Sequence, residues 1–432
     1  MQAIRSSVLR LTKPFHQRDY VVLASAFIIA TFASGMWAVA MVYQVRQLGG
    51  GPLELSMVAT SNAMGLLLFV LLGGVMADRH SCRRIVIGVE AINAVVLSVT
   101  ALLALTGQLA LWHLMITGFV TGSAMAFFFP AYSALLPRIL PADDLLAANG
   151  LEGTVRPVVH TALGPMSAGF LVAALSPAAA IFGVAACYAV AWAVLCLIRK
   201  NPDYDRVEQD SEDEHGPKML QQLREGASYT LKTPWLLWTL LFSIVSVFTF
   251  IGPFEVLIPF VVSDNLGGDA RTFGVVLACF GVGSALGSML TASARFPRRY
   301  LSVMTACWSL GTIPLALVGV LDSLVVLCSI LFLFGVTDAI GMVIWGTLLQ
   351  RRVPKRLLGR ISSLDFFVSL ALMPLSMAVA GPLAELVGLT AIFVVAGLAS
   401  PIFGVIAWKA GAFARDELEH PLRAADTVQR TD

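Results

Sequence analysis

Two carboxylates stand where they are expensive to keep. Asp338 lies at the centre of the apolar run LFLFGVTDAIGMVIWG (331–346), and Glu255 sits inside VFTFIGPFEVLIPF (247–260). An ionisable group held in hydrocarbon costs about 2.5–3.5 kcal/mol on insertion scales, so such residues are functional candidates by default. The chemistry open to them is proton exchange: the carboxyl takes a proton from one side, releases it to the other, and a cationic ligand bound beside it competes with that proton. Helical spacing puts Phe334, Gly335, Gly341, Met342 and Trp345 on the Asp338 face. Aromatic and Met side chains give a carboxylate an adaptable wall for a bulky amphipathic or cationic molecule. Asp338, Glu255, Phe334, Met342 and Trp345 are therefore the candidates for substrate binding and proton coupling. Simple packing is the competing explanation for the three apolar side chains, and a hydrogen-bonded structural role for Asp338. Pro253 and Pro259 each remove a helical hydrogen bond and predict a kink around Glu255, suited to an outer gate.

The elements that must position these residues follow from composition. The chain has 432 residues, 57% hydrophobic and 13% charged, with a mean hydropathy of +0.81. Soluble domains carry about 25% charged residues, so this is a polytopic membrane protein. A helical crossing needs about 20 apolar residues. Twelve such runs are present: 20–42, 56–76, 85–105, 109–136, 154–175 and 178–198, then 235–262, 272–294, 300–321, 324–349, 361–383 and 390–408. The first twenty residues are basic and polar, so no cleavable signal peptide is expected. Of the 29 Lys and Arg, 27 fall in the tails and the loops of one side, leaving Arg46 and Arg271 on the other. The positive-inside rule places both tails and the long central loop in the cytoplasm of a cell-membrane protein.

The cytoplasmic loops repeat. GGVMADRHSCRR (73–84) has a counterpart in GSMLTASARFPRR (287–299), LLPRILPADDLL (135–146) in LLQRRVPKRLLG (348–359), and LGPMSAGFL in AGPLAELVG. The offset is about half the chain, which predicts a parallel six-plus-six duplication. The expected organisation is an amino-terminal six-helix bundle (1–198), a cytoplasmic linker (199–234), a carboxy-terminal six-helix bundle (235–408) and a tail (409–432). The linker is charged, and MLQQLREGASYTLK at its end has the pattern of a surface amphipathic helix. GFVTG (118–122) and GSALG (283–287) are small-xxx-small patterns that allow close helix contact.

Several functions are excluded. There is no HExxH, GxSxG or clustered His set for an enzyme, and no GxxxxGK[ST] for an ATP-driven engine. The six cysteines include no CxxC pair. No catalytic residue, cofactor, metal or nucleic-acid partner is expected.

The chain resembles the major facilitator superfamily, in particular its bacterial twelve-span exporters of the macrolide-efflux and enterobactin-export type. The pieces that carry the resemblance are GGVMADRHSCRR, FFFPAYSALLPRILPADDLLAANGL and TLLQRRVPKRLLGRISSLDFFVSLALMPLSMAVAGPLAELVG. The superfamily's loop signature falls on Gly74, Asp78, Arg79, Arg83 and Arg84, with Ser81 and Cys82 departing from it. The antiporter signature falls on Gly164, Pro165 and Gly169, with His160 and Ala168 replacing two glycines, and the span-four arginine of many proton antiporters is missing.

The resemblance implies an all-α membrane protein of twelve helices in two pseudo-symmetric bundles. It further implies a secondary active transporter that exports amphipathic small molecules against protons by alternating access. The implied partners are a small-molecule substrate, protons and the lipid bilayer, and a monomer is expected. Spans one, four, seven and ten would line the central cavity, which favours Asp338 and Glu255. Glu90, on a peripheral span, reads as structural. Asp78 would dock near the amino end of span eleven, where the helix dipole favours an anion. The gating set is then Gly74, Asp78, Arg79, Arg83, Arg84, Arg156, His160, Gly164, Pro165, Arg360 and Asp365. Uptake on the same fold and a non-transporting receptor remain the alternatives.

Overall fold

The computed structural model describes residues 13–141, 144, 145, 148, 152, 155–201, 227–294 and 296–422, and among these all regular structure is helical. The membrane helices of the first half are α1 (Arg18–Gln47), α2 (Pro52–Arg79), α3 (Cys82–Leu105), α4 (Leu111–Ile139), α5 (Pro157–Ala174) and α6 (Pro177–Leu195). Those of the second half are α7 (Pro234–Asn265), α8 (Ala270–Ser293), α9 (Tyr300–Val320), α10 (Leu324–Arg352) and α11 (Lys355–Ala410). A short α12 (Phe413–Glu419) follows. Eleven helices among the described residues are long and apolar enough to cross a membrane. Leu68, Val95, Leu102, Phe182 and Leu386 are each more than half exposed, an apolar exterior suited to lipid rather than water.

Sequence explains where the helices start. Proline opens α2, α6 and α7, where its missing N–H costs nothing. Ser81 Oγ accepts from the Arg84 N–H (3.3 Å) and Ser176 Oγ from the Ala179 N–H (3.1 Å) as side-chain caps. In the loop before α8, Asp269 accepts from the backbone N–H (3.0 Å) and hydroxyl (3.1 Å) of Thr272, and these donors hold its carboxyl below the ordinary value.

The expected irregularities take specific forms. The predicted kink around Glu255 is two π-helical turns, Pro253–Leu257 and Val261–Asn265, on either side of Pro259. Proline's missing donor explains the widened turns. α5 opens with a π-helical stretch, Pro157–Leu163, and α9 closes as a 3-10 helix over Ile313–Val320. The two apolar runs 361–383 and 390–408 both fall within α11, which is broken at Gly388 by φ 80°, ψ 160°, a conformation that favours glycine. Of the expected linker helix, 227–232 is helical and the rest lies outside the described residues.

The chain divides into two compact units, Met1–Glu212 with Gly267–Ala278, and Asp213–Leu266 with Cys279–Asp432. In the first, Tyr20, Phe27, Phe128 and Tyr132 centre a buried cluster. In the second, Trp235, Tyr300, Trp345 and Phe413 do. Each unit contains a helix pair seamed by glycines. A Cβ at Gly65 or Gly73 of α2, or at Gly122 of α4, would strike the facing helix backbone. The same holds for Gly283 and Gly287 of α8 against Phe332 and Val336 of α10, and for Gly335 of α10 against Phe280. Both small-xxx-small patterns thus lie at close helix approaches. Across the first seam Asn62 Nδ2 donates to the Gly118 carbonyl (3.0 Å) and to Thr121 Oγ1 (3.1 Å).

Candidate functional site

α10 presents one buried side, carrying Leu331, Phe334, Gly335, Gly341, Trp345 and Leu349, while Val325, Phe332 and Leu333 are exposed on the other. Met342 falls on the buried side by helical spacing yet is 57% exposed, and Asp338, one turn before it, is half-buried. Met342 and Asp338 are accessible breaks in an otherwise buried side. Glu255 repeats the pattern on α7: it is exposed, while Pro253, Phe254 and the whole stretch from Val256 to Val262 are buried. The second unit therefore carries two carboxylates that are accessible on otherwise buried helix stretches. Among the described residues, neither forms an ion pair.

The walls around them are aromatic. Phe334 contacts Phe250 (4.5 Å between ring centroids) and Phe280 (5.6 Å), and Phe254 contacts both Phe250 (5.0 Å) and Phe280 (4.9 Å), so α7, α8 and α10 meet in four rings. Phe334 is one turn from Asp338, and Phe254 is the residue before Glu255. On the other flank, Trp308 of α9 lies against Gly341, where a Cβ would collide with its indole. Its Nε1–H donates to the Asp338 carbonyl oxygen at 3.3 Å and lies beside the carboxyl group. Trp308 stacks on Phe242. Further along α10, Trp345 Nε1–H donates to Asp365 Oδ2 at 3.0 Å. Asp365 thus packs against the Asp338 helix through Trp345 rather than standing apart.

The sequence did not reveal Trp308, Phe250 or Phe280. The usable signal for Trp308 was that a buried indole N–H needs an acceptor, but spacing within one helix cannot say which neighbouring helix supplies it.

In the first unit, the predicted gating residues are arranged as connections between helices. Gly164 and His160 pack on Gly35 of α1, where a Cβ on either glycine would meet facing backbone. His160 Nε2 lies 3.3 Å from Ser34 Oγ. Arg156 is exposed, its guanidinium 4.8 Å over the Phe129 ring and within electrostatic reach of Glu152. Glu152 accepts a hydrogen bond from the Tyr132 hydroxyl. Pro165 Cδ abuts Gly35, and its carbonyl abuts Gly274. Arg83 is buried and donates from Nε (3.2 Å) and Nη2 (3.0 Å) to the Ile198 carbonyl, capping the chain just past α6. Arg79 and Arg84 are exposed, and Gly74 faces open space. The side chains of Asp78 and Arg360 lie outside the described residues.

A helical, many-spanning scaffold with ionisable groups on otherwise buried helix faces suits a membrane transporter. Comparison with solved structures agrees on the fold: nucleoside transporter NupG superposes with a TM-score of 0.67 at 12% identity, covering 92% of this chain and 99% of that one. Macrolide efflux protein A of Streptococcus pyogenes is 24% identical over 379 residues, 85% of this chain and 90% of its own. Multidrug efflux pump Tap of Mycolicibacterium fortuitum is 24% identical over 401 residues, covering 90% and 94%. Enterobactin exporter EntS of Shigella flexneri is 25% identical over 341 residues, 78% of each chain. Residues 11–422 match the family described as Transmembrane secretion effector, and the chain belongs to that family of major facilitator transporters. It is a multi-pass membrane transporter, not an enzyme.

Proposed function

We propose that this protein is a proton-coupled exporter of amphipathic small molecules such as drugs, macrolides or siderophores, working by alternating access, with Asp338 as its coupling carboxylate. The observation that carries the reading is the placement of Asp338 and Met342, half-buried and exposed, on the otherwise buried side of α10, with no ion-pair partner for Asp338 among the described residues and aromatic rings one turn away. A carboxyl so placed can exchange its proton for a cationic or polarised ligand. One proton moved across 100 mV releases about 2.3 kcal/mol, equivalent to a roughly 50-fold substrate gradient, so one carboxyl can drive export. The efflux proteins among its relatives support export over uptake.

The architecture in this reading is twelve spans in two pseudo-symmetric bundles, counting α11 as two spans separated at Gly388, with the bundles at 1–198 and 235–408. The protein works as a monomer in the cell membrane with both tails in the cytoplasm, and gating falls to the Asp78 loop and to the start of span eleven around Arg360. Glu255, beside the π-helical turns of α7, serves the outer end of the site.

The test is proton flux in proteoliposomes carrying a pH gradient, with lipophilic cations, macrolides and catechol siderophores added in turn. A compound that triggers flux establishes coupling and names the substrate class. Compounds that bind without moving protons would leave a receptor on this fold.

A further inference from the structure

The first unit holds a carboxyl that the site above does not use. Glu90 of α3 is 3% exposed, and its Oε2 is fully buried with no hydrogen-bond partner. Asn93, one turn on, is 7% exposed, its amide lies beside the Glu90 carboxyl, and its Oδ1 is also buried without a partner. Glu90 Oε2 and Asn93 Oδ1 are thus two neighbouring buried acceptor atoms without a partner, although the Asn93 amide N–H group is itself a donor beside the carboxyl. An ionised carboxylate there would be a buried charge with an unpaired oxygen, among the most costly arrangements a protein can hold. A proton on the carboxyl removes the charge and supplies a donor that the unpartnered Asn93 Oδ1 can accept.

Among the described residues, the surroundings offer no counter-charge. α3 packs on α6 and α4 and touches α2. From α6 the titratable group near Glu90 is Tyr188, with Cys187 beside Tyr188. α4 presents Thr117, which is paired with Thr100. On α3 itself Arg83 is committed to the Ile198 carbonyl. A line of exchangeable groups leads outward: Tyr188 lies within electrostatic reach of Glu90 and beside Ser34, and Ser34 Oγ is 3.3 Å from His160 Nε2. Ser34 and His160 are only half-buried, and Arg156, one turn beyond, is exposed.

We propose that Glu90 is a second proton-binding site of this transporter, loaded in the arrangement seen here and exchanging its proton through Tyr188, Ser34 and His160. The proton leaves the Glu90 O–H. Each hydroxyl accepts one proton and passes on its own, and the His160 imidazole takes the last before giving it to water. No electrons change hands. The proposal rests on the proton-coupled reading, and its test is chosen to stand apart from it.

Infrared difference spectra of the purified protein between acid and alkaline buffer, in the carboxylic C=O stretching region, need no substrate. Wild type is expected to show a neutral buried carboxyl band that Glu90→Gln lacks and Asp338→Asn retains. Tyr188→Phe is expected to keep the band but slow its exchange with bulk protons. If Glu90→Gln fails to fold, Glu90→Asp should shift the band rather than abolish it. A spectrum unchanged by Glu90→Gln, or by Glu90→Asp, overturns the proposal. In proteoliposomes, Glu90→Gln should lower the proton-to-substrate ratio from about two to about one and the accumulation at 100 mV by about 50-fold. Loss of the band with an unchanged ratio would leave Glu90 a static neutral acid and overturn the exchange role, whatever Asp338 does.

Discussion

α4 and α10 share a closing motif and a glycine-seamed neighbour. The LLPRI and LLQRR motifs that close them start at 135 and 348, an offset of 348 − 135 = 213 residues. Each is clasped by a glycine-seamed partner, α2 for the one and α8 for the other. The same offset carries Asp338 back to 338 − 213 = 125, which is Met125. The scaffold has been kept in both halves, and the mid-span charge in only one. The first unit instead buries Glu90 and Tyr188 and half-buries His160, while the second leaves Asp338 half-buried and Glu255 exposed on otherwise buried helix stretches. The lesson is that seam and site are separable: glycines fix how closely the helices approach, and the residue one turn from the seam decides what the space between them can do.

That separation can be broken in order of expected effect. Asp338→Asn should lower gradient-driven accumulation by about 50-fold at 100 mV, while Met125→Asn, at the position offset by 213 residues, keeps it within about twofold; uptake into inverted vesicles measures both. Gly122→Leu and Gly283→Leu, one in each seam, should each destabilise by about 1–3 kcal/mol through overpacking. Gly346→Ala, whose Cβ meets nothing, should be neutral. Thermal melts in detergent would separate them, at about 2–4 °C per kcal/mol. If one seam tolerates leucine and the other does not, the structural equivalence of the two pairs fails. A double-mutant cycle of Trp345→Phe and Asp365→Asn should return a coupling of about 1 kcal/mol from their hydrogen bond.

The smallest effect lies outside the membrane. Asp269→Ala should cost about 0.5–1 kcal/mol by uncapping α8. Because its donors hold the folded carboxyl below the ordinary value, that contribution is fully present at neutral pH and is lost as pH falls through the folded value. Melts at neutral and strongly acid pH should therefore differ between wild type and the variant only at neutral pH.

The fold was largely legible because lipid imposes a simple code: a crossing must be a helix, and a helix of that length must be apolar. Pro253 and Pro259 marked the irregular part of α7, although their sequence cannot distinguish a bend from π-helical turns. Asp338 was legible as a candidate because a lone charge in an apolar run is conspicuous. Its neighbours on other helices were not, since Trp308, Phe250 and Phe280 come from α9, α7 and α8 and helical spacing reports only one helix at a time. Glu90 was read as structural from its peripheral helix, and nothing in a single sequence could show that its Oε2 and Asn93 Oδ1 lack partners. Arg83 was read as a gating residue, and the Ile198 carbonyl it caps lies too far along the chain for any local pattern to reveal.

The most direct test of the central claim is proton release on binding. Detergent-purified protein in weakly buffered solution, with a pH-sensitive dye, would be given the compound that the flux panel identifies. Wild type should release about one proton per bound substrate more than Asp338→Asn, with both binding the compound. If Asp338→Asn binds and releases as many protons as wild type, the proton is held elsewhere and Asp338 is not the coupling carboxylate.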